Sequence, residues 1–216
     1  QPRVHFLSNG RYGVLVTSAG SGYSSWQDIE LTRWREDTTR NNWGTWIYIQ
    51  DEDSGDLWSA GYQPTNVPTG SREVYFNAHV AELHRRDYAI GVTMEITVPP
   101  CDDLEVRMVS LTNYSDHRRR LKLVSYGEVV LSARETDRRH PAFNKLFIES
   151  EYVAELNALL FKRRSRSETE DPVFLGHALV VGEGLALSRA YESDRMRFLG
   201  RGRTSRAPEV LMRTQR

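Results

Sequence analysis

The sequence is poor in cysteine and has no long apolar run. Cys101 is the one cysteine, which excludes an internal disulfide and favours a reducing compartment. There is no stretch of about 18 apolar residues, as a transmembrane helix requires, and no signal peptide follows Gln1. We therefore expect a cytoplasmic protein without direct membrane contact; attachment of a longer parent chain to the inner membrane is compatible with this.

The chain also lacks a net charge, because 29 Lys and Arg residues balance 29 Asp and Glu residues. Without a long-range positive field, nucleic acid is not an expected partner. The basic residues are 26 Arg and only 3 Lys, and Arg suits flat, bidentate contacts with carboxylates or sugars. His79 and His84 would face opposite sides of one strand, so we expect neither a metal site nor another cofactor.

What the sequence does contain is period-two alternation of apolar residues, the pattern of half-buried strands. The longest run places six apolar residues at successive even positions: Tyr88, Ile90, Val92, Met94, Ile96 and Val98. Shorter runs occur at residues 74–80, at Leu104, Val106 and Met108, and at residues 121–130, with turn-forming residues between them. This predicts an all-β, antiparallel sandwich in one domain, residues 1–216.

The sequences of two segments are compatible with a helix. Residues 151–164 fit either a helix or a hairpin that turns near residues 155–157, and we favour the hairpin. Residues 207–213 are compatible with one short helical turn.

Aromatic residues are concentrated in one part of the chain, since all five tryptophans lie between Trp26 and Trp58. Aromatic faces can stack on sugar rings while neighbouring polar groups bind hydroxyls. The candidate sugar-binding residues here are Tyr23, Trp26, Arg33, Arg35 and Trp43.

Arg33 and Arg35 would share one face of a strand, and an unpaired buried charge is costly. We therefore expect residues 23–44 to form a partly wet groove or interface. The alternative is that the tryptophans pack the core and the two arginines form internal ion pairs with Asp28, Glu30 or Asp37.

Several longer runs resemble glycoside hydrolase family 94, the inverting β-glucoside phosphorylases. The similarity is greatest to the phosphorylase-like region of cyclic β-1,2-glucan synthases. The runs are SAGSGYSSWQD at residues 18–28, TRWREDTTRNNWG at 32–44, SYGEVVL at 125–131, HPAFNKLF at 140–147 and DRMRFLGRGR at 194–203. Their order along nearly the whole chain makes the resemblance more specific than one short motif.

The resemblance implies a galactose-mutarotase-like, antiparallel β-supersandwich of two large sheets at the N-terminal side of a larger enzyme. In the family, the catalytic acid and the site for inorganic phosphate lie in an (α/α)6 barrel, so no catalytic residue is expected in this chain. The sandwich is expected to be architectural, to form a homodimer, and to help shape the acceptor site for a β-glucan oligosaccharide. A stand-alone carbohydrate-binding module and a purely structural dimerisation domain are the alternatives.

One family loop contacts the acceptor sugar through the Gln and Arg of an F-Q-R-N-F run. The run Phe143-Asn144-Lys145-Leu146-Phe147 is similar to it, with both polar residues changed. The resemblance therefore implies that Asn144 and Lys145 bind substrate, and we expect both on an exposed loop after Pro141.

Overall fold

The computed structural model describes residues 3–35, 39–165, 172–182 and 190–212. Asp37, one of the expected ion-pair partners, lies outside them. The described strands are β1 (Val4–Ser8), β2 (Tyr12–Thr17), β3 (Gly22–Trp26), β4 (Ile29–Thr32), β5 (Trp46–Asp51), β6 (Leu57–Ser59), β7 (Ser71–Asn77), β8 (Val80–Asp87), β9 (Ile90–Thr97), β10 (Val106–Asn113), β11 (Leu121–Tyr126), β12 (Val129–Ala133), β13 (Ile148–Val153), β14 (Ala158–Arg163) and β15 (Val173–Ala178). The described helices are α1 (Arg134–Arg139), α2 (Pro141–Lys145), α3 (Arg195–Leu199) and α4 (Glu209–Met212).

Hydrogen bonds join these strands into four antiparallel sheets, which confirms the predicted all-β, antiparallel fold. The first sheet has the order β1-β2-β3-β4-β12, and the second has the order β10-β9-β8-β7. The third and fourth, each of three strands, run β11-β5-β6 and β13-β14-β15. None of the described helices is long and apolar enough to cross a membrane.

The main hydrophobic core is built by the inward faces of the first three sheets. Leu7 and Val14 come from the first sheet, Leu83 from the second, and Ile49 and Trp58 from the third, and all five are buried. In the fourth sheet, partly buried apolar residues pack against the same core. Removing this apolar surface from water is the main favourable term in folding.

A second, smaller core covers the opposite face of the third sheet. Trp46 and Tyr48 of β5 pack there against Phe198, Leu199 and Leu211 of α3 and α4. The Tyr48 hydroxyl also donates a hydrogen bond of 2.6 Å to the backbone oxygen of Ser205. The short helices at residues 195–212 are thereby attached to the sandwich.

The alternating pattern predicted β9 well, because Ile90, Val92, Met94 and Ile96 are all buried. Tyr88 is different, since it lies in the β8–β9 turn and is 44% exposed. The hairpin favoured for residues 151–164 is confirmed by the pairing of β13 with β14, and the short helical turn is confirmed as α4.

The orientation of β10 could not be predicted from the alternation of its residues. Val106 and Met108 share a face, but that face is exposed. Val109 and Leu111, on the other face, pack against the core. Both faces of β10 carry apolar residues, so alternation alone did not indicate which one is buried.

Candidate functional site

The segment that contains α1 and α2 joins three of the seven predicted site residues, Arg33, Arg35 and Asn144, in one polar cluster. Its centre is Asp137 of α1, whose side chain is completely buried. Arg33 donates to both carboxylate oxygens of Asp137, with Nη2–Oδ1 at 2.7 Å and Nε–Oδ2 at 3.0 Å. Arg35 adds a further hydrogen bond to the carboxylate and one of 3.0 Å to the backbone oxygen of Asp137. We call Arg33, Arg35, Asp137 and Asn144 the Asp137 network.

Arg33 corrects the expectation of a wet groove, because its side chain is only 4% exposed. It is neutralised by Asp137 and also by Glu128, whose Oε2 lies 2.9 Å from Nη1. Arg35 is partly accessible, at 24%. Buried arginines require such partners, and here the partners lie about a hundred positions further along the chain.

Asn144 corrects the expectation of an exposed loop residue, since it is 1% exposed and lies within helix α2. Its amide nitrogen donates to Ser132 Oγ at 2.6 Å and to Asp137 Oδ1 at 3.2 Å, and its amide oxygen accepts from Arg163. Asn144 therefore attaches α2 to β12 and β14.

Lys145, the next residue, lies on the accessible side of α2 with its side chain 44% exposed. Its Nζ is 3.7 Å from Glu128 Oε2. Burial lowers the pKa of the Lys145 ammonium, and the Glu128 carboxylate opposes that shift. Phe143 and Leu146 are 50% and 69% exposed beside it, so the outer surface of α2 combines one cation with two apolar side chains.

Glu128 and Asp137 stay ionised although both are largely buried. Burial acts to raise the pKa of Glu128, but the hydrogen bond and charge of Arg195 outweigh it and hold that pKa below its usual range. Burial acts likewise on Asp137, whose pKa is lowered by its bonds to Arg33 and Arg35. Neither carboxylate is suited to donate a proton near neutral pH. Sequence reasoning missed both residues because no local spacing marks them.

A second cluster lies on the outward face of the first sheet. The rings of Tyr23 and Trp34 are 5.5 Å apart at their centroids and tilted by 38°. The Arg134 guanidinium lies over both, 5.4 Å from the Tyr23 ring and 5.5 Å from the Trp34 ring. Its Nε is also 3.0 Å from Glu30 Oε1, although neither oxygen of Glu30 has a hydrogen bond of good geometry within the described residues.

Burial raises the pKa of Glu30, and the charges of Arg134 and Arg35 only partly offset it. Glu30→Gln should therefore stabilise the chain by on the order of 1 kcal/mol at pH 7, because the cost of burying the ionised carboxylate exceeds what its ion pair with Arg134 returns. A raised folded-state pKa favours folding below the unfolded value and costs stability as pH rises through the folded value. The gain should accordingly shrink towards pH 4. Urea unfolding at both pH values measures it, and a gain that is larger at pH 4 contradicts the assignment.

The tryptophans do not form one aromatic cluster. Trp26 donates from Nε1 to Asp103 Oδ2 at 2.7 Å and packs against the main core. Trp43 is half-buried, and its backbone oxygen accepts from the Gly22 N–H at 2.9 Å. Trp46 and Trp58 belong to the two cores. These contacts of Trp26 and Trp43 are separate from the Asp137 network, so their predicted role in sugar binding remains a prediction.

Comparison with known proteins identifies the family to which this domain belongs. A family model for the glycosyl hydrolase 94 supersandwich domain matches residues 1–216. The chain is 33% identical over 198 residues to the cyclic β-(1,2)-glucan synthase NdvB of Rhizobium meliloti (strain 1021), a match covering 92% of this chain and 7% of that protein. It is 27% identical over 213 residues to the N,N'-diacetylchitobiose phosphorylase of Vibrio furnissii, covering 96% of this chain and 26% of that protein.

A similar phosphorylase from Vibrio proteolyticus is 24% identical over 144 residues, covering 64% of this chain and 18% of that protein. The chain thus spans about a quarter or less of the length of the curated relatives it matches. The match along all 216 residues, together with the antiparallel sheets, shows that the chain belongs to glycosyl hydrolase family 94 as its supersandwich domain.

Proposed function

We propose that this chain is the non-catalytic, architectural domain of a longer family 94 enzyme that acts on a β-glucan, and that it presents the outer surface of α2 to the acceptor sugar. The observation that carries the proposal is the Asp137 network. It fixes α1 and α2 to the sandwich through buried hydrogen bonds while leaving Lys145 exposed. A charged donor held on a rigid support is suited to orient sugar hydroxyls.

The relatives support a β-linked substrate. One is named for β-(1,2)-glucan and two for N,N'-diacetylchitobiose. We propose a β-1,2-glucan here because the glucan synthase shows the higher identity. We also propose that the chain works with an (α/α)6 catalytic barrel in the same polypeptide and pairs with a second copy of the domain. Inorganic phosphate would be a co-substrate of the barrel.

A non-catalytic role fits the state of the buried carboxyl groups. Glycosidic bond cleavage with inversion requires a carboxylic acid that is protonated and reaches the leaving oxygen. Burial raises the pKa of Glu30, but both of its oxygens are shielded from solvent. We expect no glucose 1-phosphate when this chain is incubated with β-1,2-glucooligosaccharides and phosphate. Turnover that Glu30→Gln abolishes would overturn the non-catalytic assignment.

In a longer protein that carries this chain with its catalytic part, Lys145→Ala should raise the KM for the acceptor about tenfold, the loss expected for one charged hydrogen bond. The kcat should change little, because the contact forms equally in the ground state. Steady-state kinetics with varied acceptor measure both constants.

Lys162→Ala is the matched control, since Lys162 is an exposed lysine of β14. Asn144→Ala should instead lower stability, because its amide is buried in the Asp137 network. An acceptor KM that Lys145→Ala leaves unchanged removes α2 from the acceptor site.

A further inference from the structure

We infer that the outward face of the first sheet carries a second glucan-binding surface, distinct from Lys145, that takes a neutral β-linked glucan chain. The inference rests on the proposed function for the choice of a glucan. The surface is an aromatic and apolar row with one acid and one base at its end: Phe6, Leu15, Tyr23, Trp34, Glu30 and Arg134. We call it the outer row.

Strand register aligns the first three members. Phe6 pairs directly with Leu15 across β1 and β2, and Leu15 pairs with Tyr23 across β2 and β3. Directly paired residues project from the same face of a sheet, and the alternating residues Leu7 and Val14 are buried in the core. Phe6, Leu15 and Tyr23 therefore share the outward face and span three strands, roughly 10 Å across.

Gly13 holds the Phe6 ring against the sheet. A Cβ built at Gly13 would lie 2.6 Å from Phe6 Cζ, so the ring occupies the space above this glycine that a side chain would otherwise fill. Phe6 is nevertheless 55% exposed. Its ring is thus supported on one side and open on the other, which is the arrangement that stacking on the apolar face of a sugar requires.

The other end of the row offers hydrogen-bonding groups without a complete set of partners. Glu30 is 5% exposed in its side chain, and neither carboxylate oxygen has a hydrogen bond of good geometry within the described chain. Arg134 covers it, but the Arg134 side chain is 40% exposed and extends into solvent. Sugar hydroxyls can therefore accept from the exposed Arg134 guanidinium beside Tyr23 and Trp34, while the shielded Glu30 carboxylate holds that guanidinium in place.

The balance of charge favours a neutral ligand. Glu30 and Arg134 cancel each other, so the outer row provides no net attraction for an anionic glycan or an acidic peptide. A glucan combines apolar ring faces with hydroxyl groups, and the row offers stacking surfaces followed by an exposed guanidinium whose charge is balanced by Glu30. This complementarity is the reason for choosing a glucan over a protein partner.

The test is calorimetric titration of the chain with linear β-1,2-glucooligosaccharides. Trp34→Ala should raise the Kd about tenfold, and Phe6→Ala several-fold, because each removes one stacking face. Tyr75→Ala is the matched control, since Tyr75 is 48% exposed but lies on β7 of the second sheet. It should leave the Kd unchanged.

Glu30→Gln separates binding from stability, because it should raise the Kd several-fold while the chain becomes more stable. Absence of binding by the unchanged chain overturns the inference, as does an equal loss in Tyr75→Ala. Binding that only Lys145→Ala weakens also overturns it, yet leaves the proposed function standing. The opposite combination is also informative. If the outer row binds glucan but Lys145→Ala leaves the acceptor KM unchanged, only the proposed acceptor role of α2 is refuted.

Discussion

Replacing Arg33 by alanine should lower the free energy of unfolding by about 3–5 kcal/mol, the loss typical when one member of a buried ion pair is removed. The variant leaves Asp137 with no exposed surface and without its bidentate partner, and it also removes a donor to Glu128. Urea unfolding at pH 7, followed by tryptophan fluorescence, measures the difference.

Arg11→Ala is the control for the loss of an arginine as such. Arg11 pairs with Asp103 at 2.9 Å, but the two side chains are 54% and 31% exposed. Such exposed pairs contribute about 0–1 kcal/mol. If Arg33→Ala and Arg11→Ala cost the same, the Asp137 network is not a stabilising anchor.

The effect of Arg33→Ala should also depend on pH. The folded-state pKa values of Asp137 and Glu128 are lowered, because their hydrogen bonds and ion pairs with arginines outweigh the effect of burial. A lowered carboxyl pKa contributes stability that is present above the unfolded value and is lost as pH falls through the folded value. The difference between the unchanged chain and Arg33→Ala should therefore be full above about pH 5 and shrink in stronger acid.

The Asp137 network explains why charged groups are buried at this point of the sandwich. A hydrophobic replacement could fill the same volume, and it would avoid the cost of desolvating ions. Apolar contacts are not directional, so such a replacement would not fix how α1 and α2 are oriented. The bidentate bond from Arg33 and the amide of Asn144 do fix that orientation. Rigid support of the proposed sugar-binding surface is a functional reason for such a network.

Local sequence patterns predicted the strands better than they predicted the site. The alternation in β9 and the polar turn between β13 and β14 involve neighbouring residues, which is the range over which periodicity and turn chemistry act. Burial of one face of β10 depends on the other sheets. No pattern within β10 itself could select Val109 and Leu111 over Val106 and Met108.

The site was harder to predict for the same reason. A buried Arg33 needs acidic partners, and the candidates near it in the sequence are Asp28, Glu30 and Asp37. The actual partners, Asp137 and Glu128, lie 104 and 95 positions away. The run around Asn144 resembles a sugar-binding run, but the burial of Asn144 depends on β12 and β14, which lie outside that run in the sequence and contact α2.

Gly22→Ala should cost about 4 kcal/mol or more, an exceptional loss for one methyl group. A Cβ at Gly22 would lie 1.7 Å from the backbone oxygen of Leu15 and 3.1 Å from Val16 Cα. Both contacts are with backbone, so no side-chain rotation relieves them. Strand β3 would have to separate from β2, and the pairing of Leu15 with Tyr23 would be lost with it.

Gly55→Ala is the matched control, because Gly55 also has a positive φ, 80°, but a Cβ added there would meet no atom of the described residues within 4 Å. It should cost only about 1–2 kcal/mol, the strain of a left-handed backbone. Urea midpoints of the two variants give the comparison, and glucan titration gives a second readout. Gly22→Ala should lose affinity at the outer row while Gly55→Ala retains it, since only Gly22 lies on the strand pair that aligns the row. Equal stability losses would show that the tight β2–β3 contact does not control the register of this face.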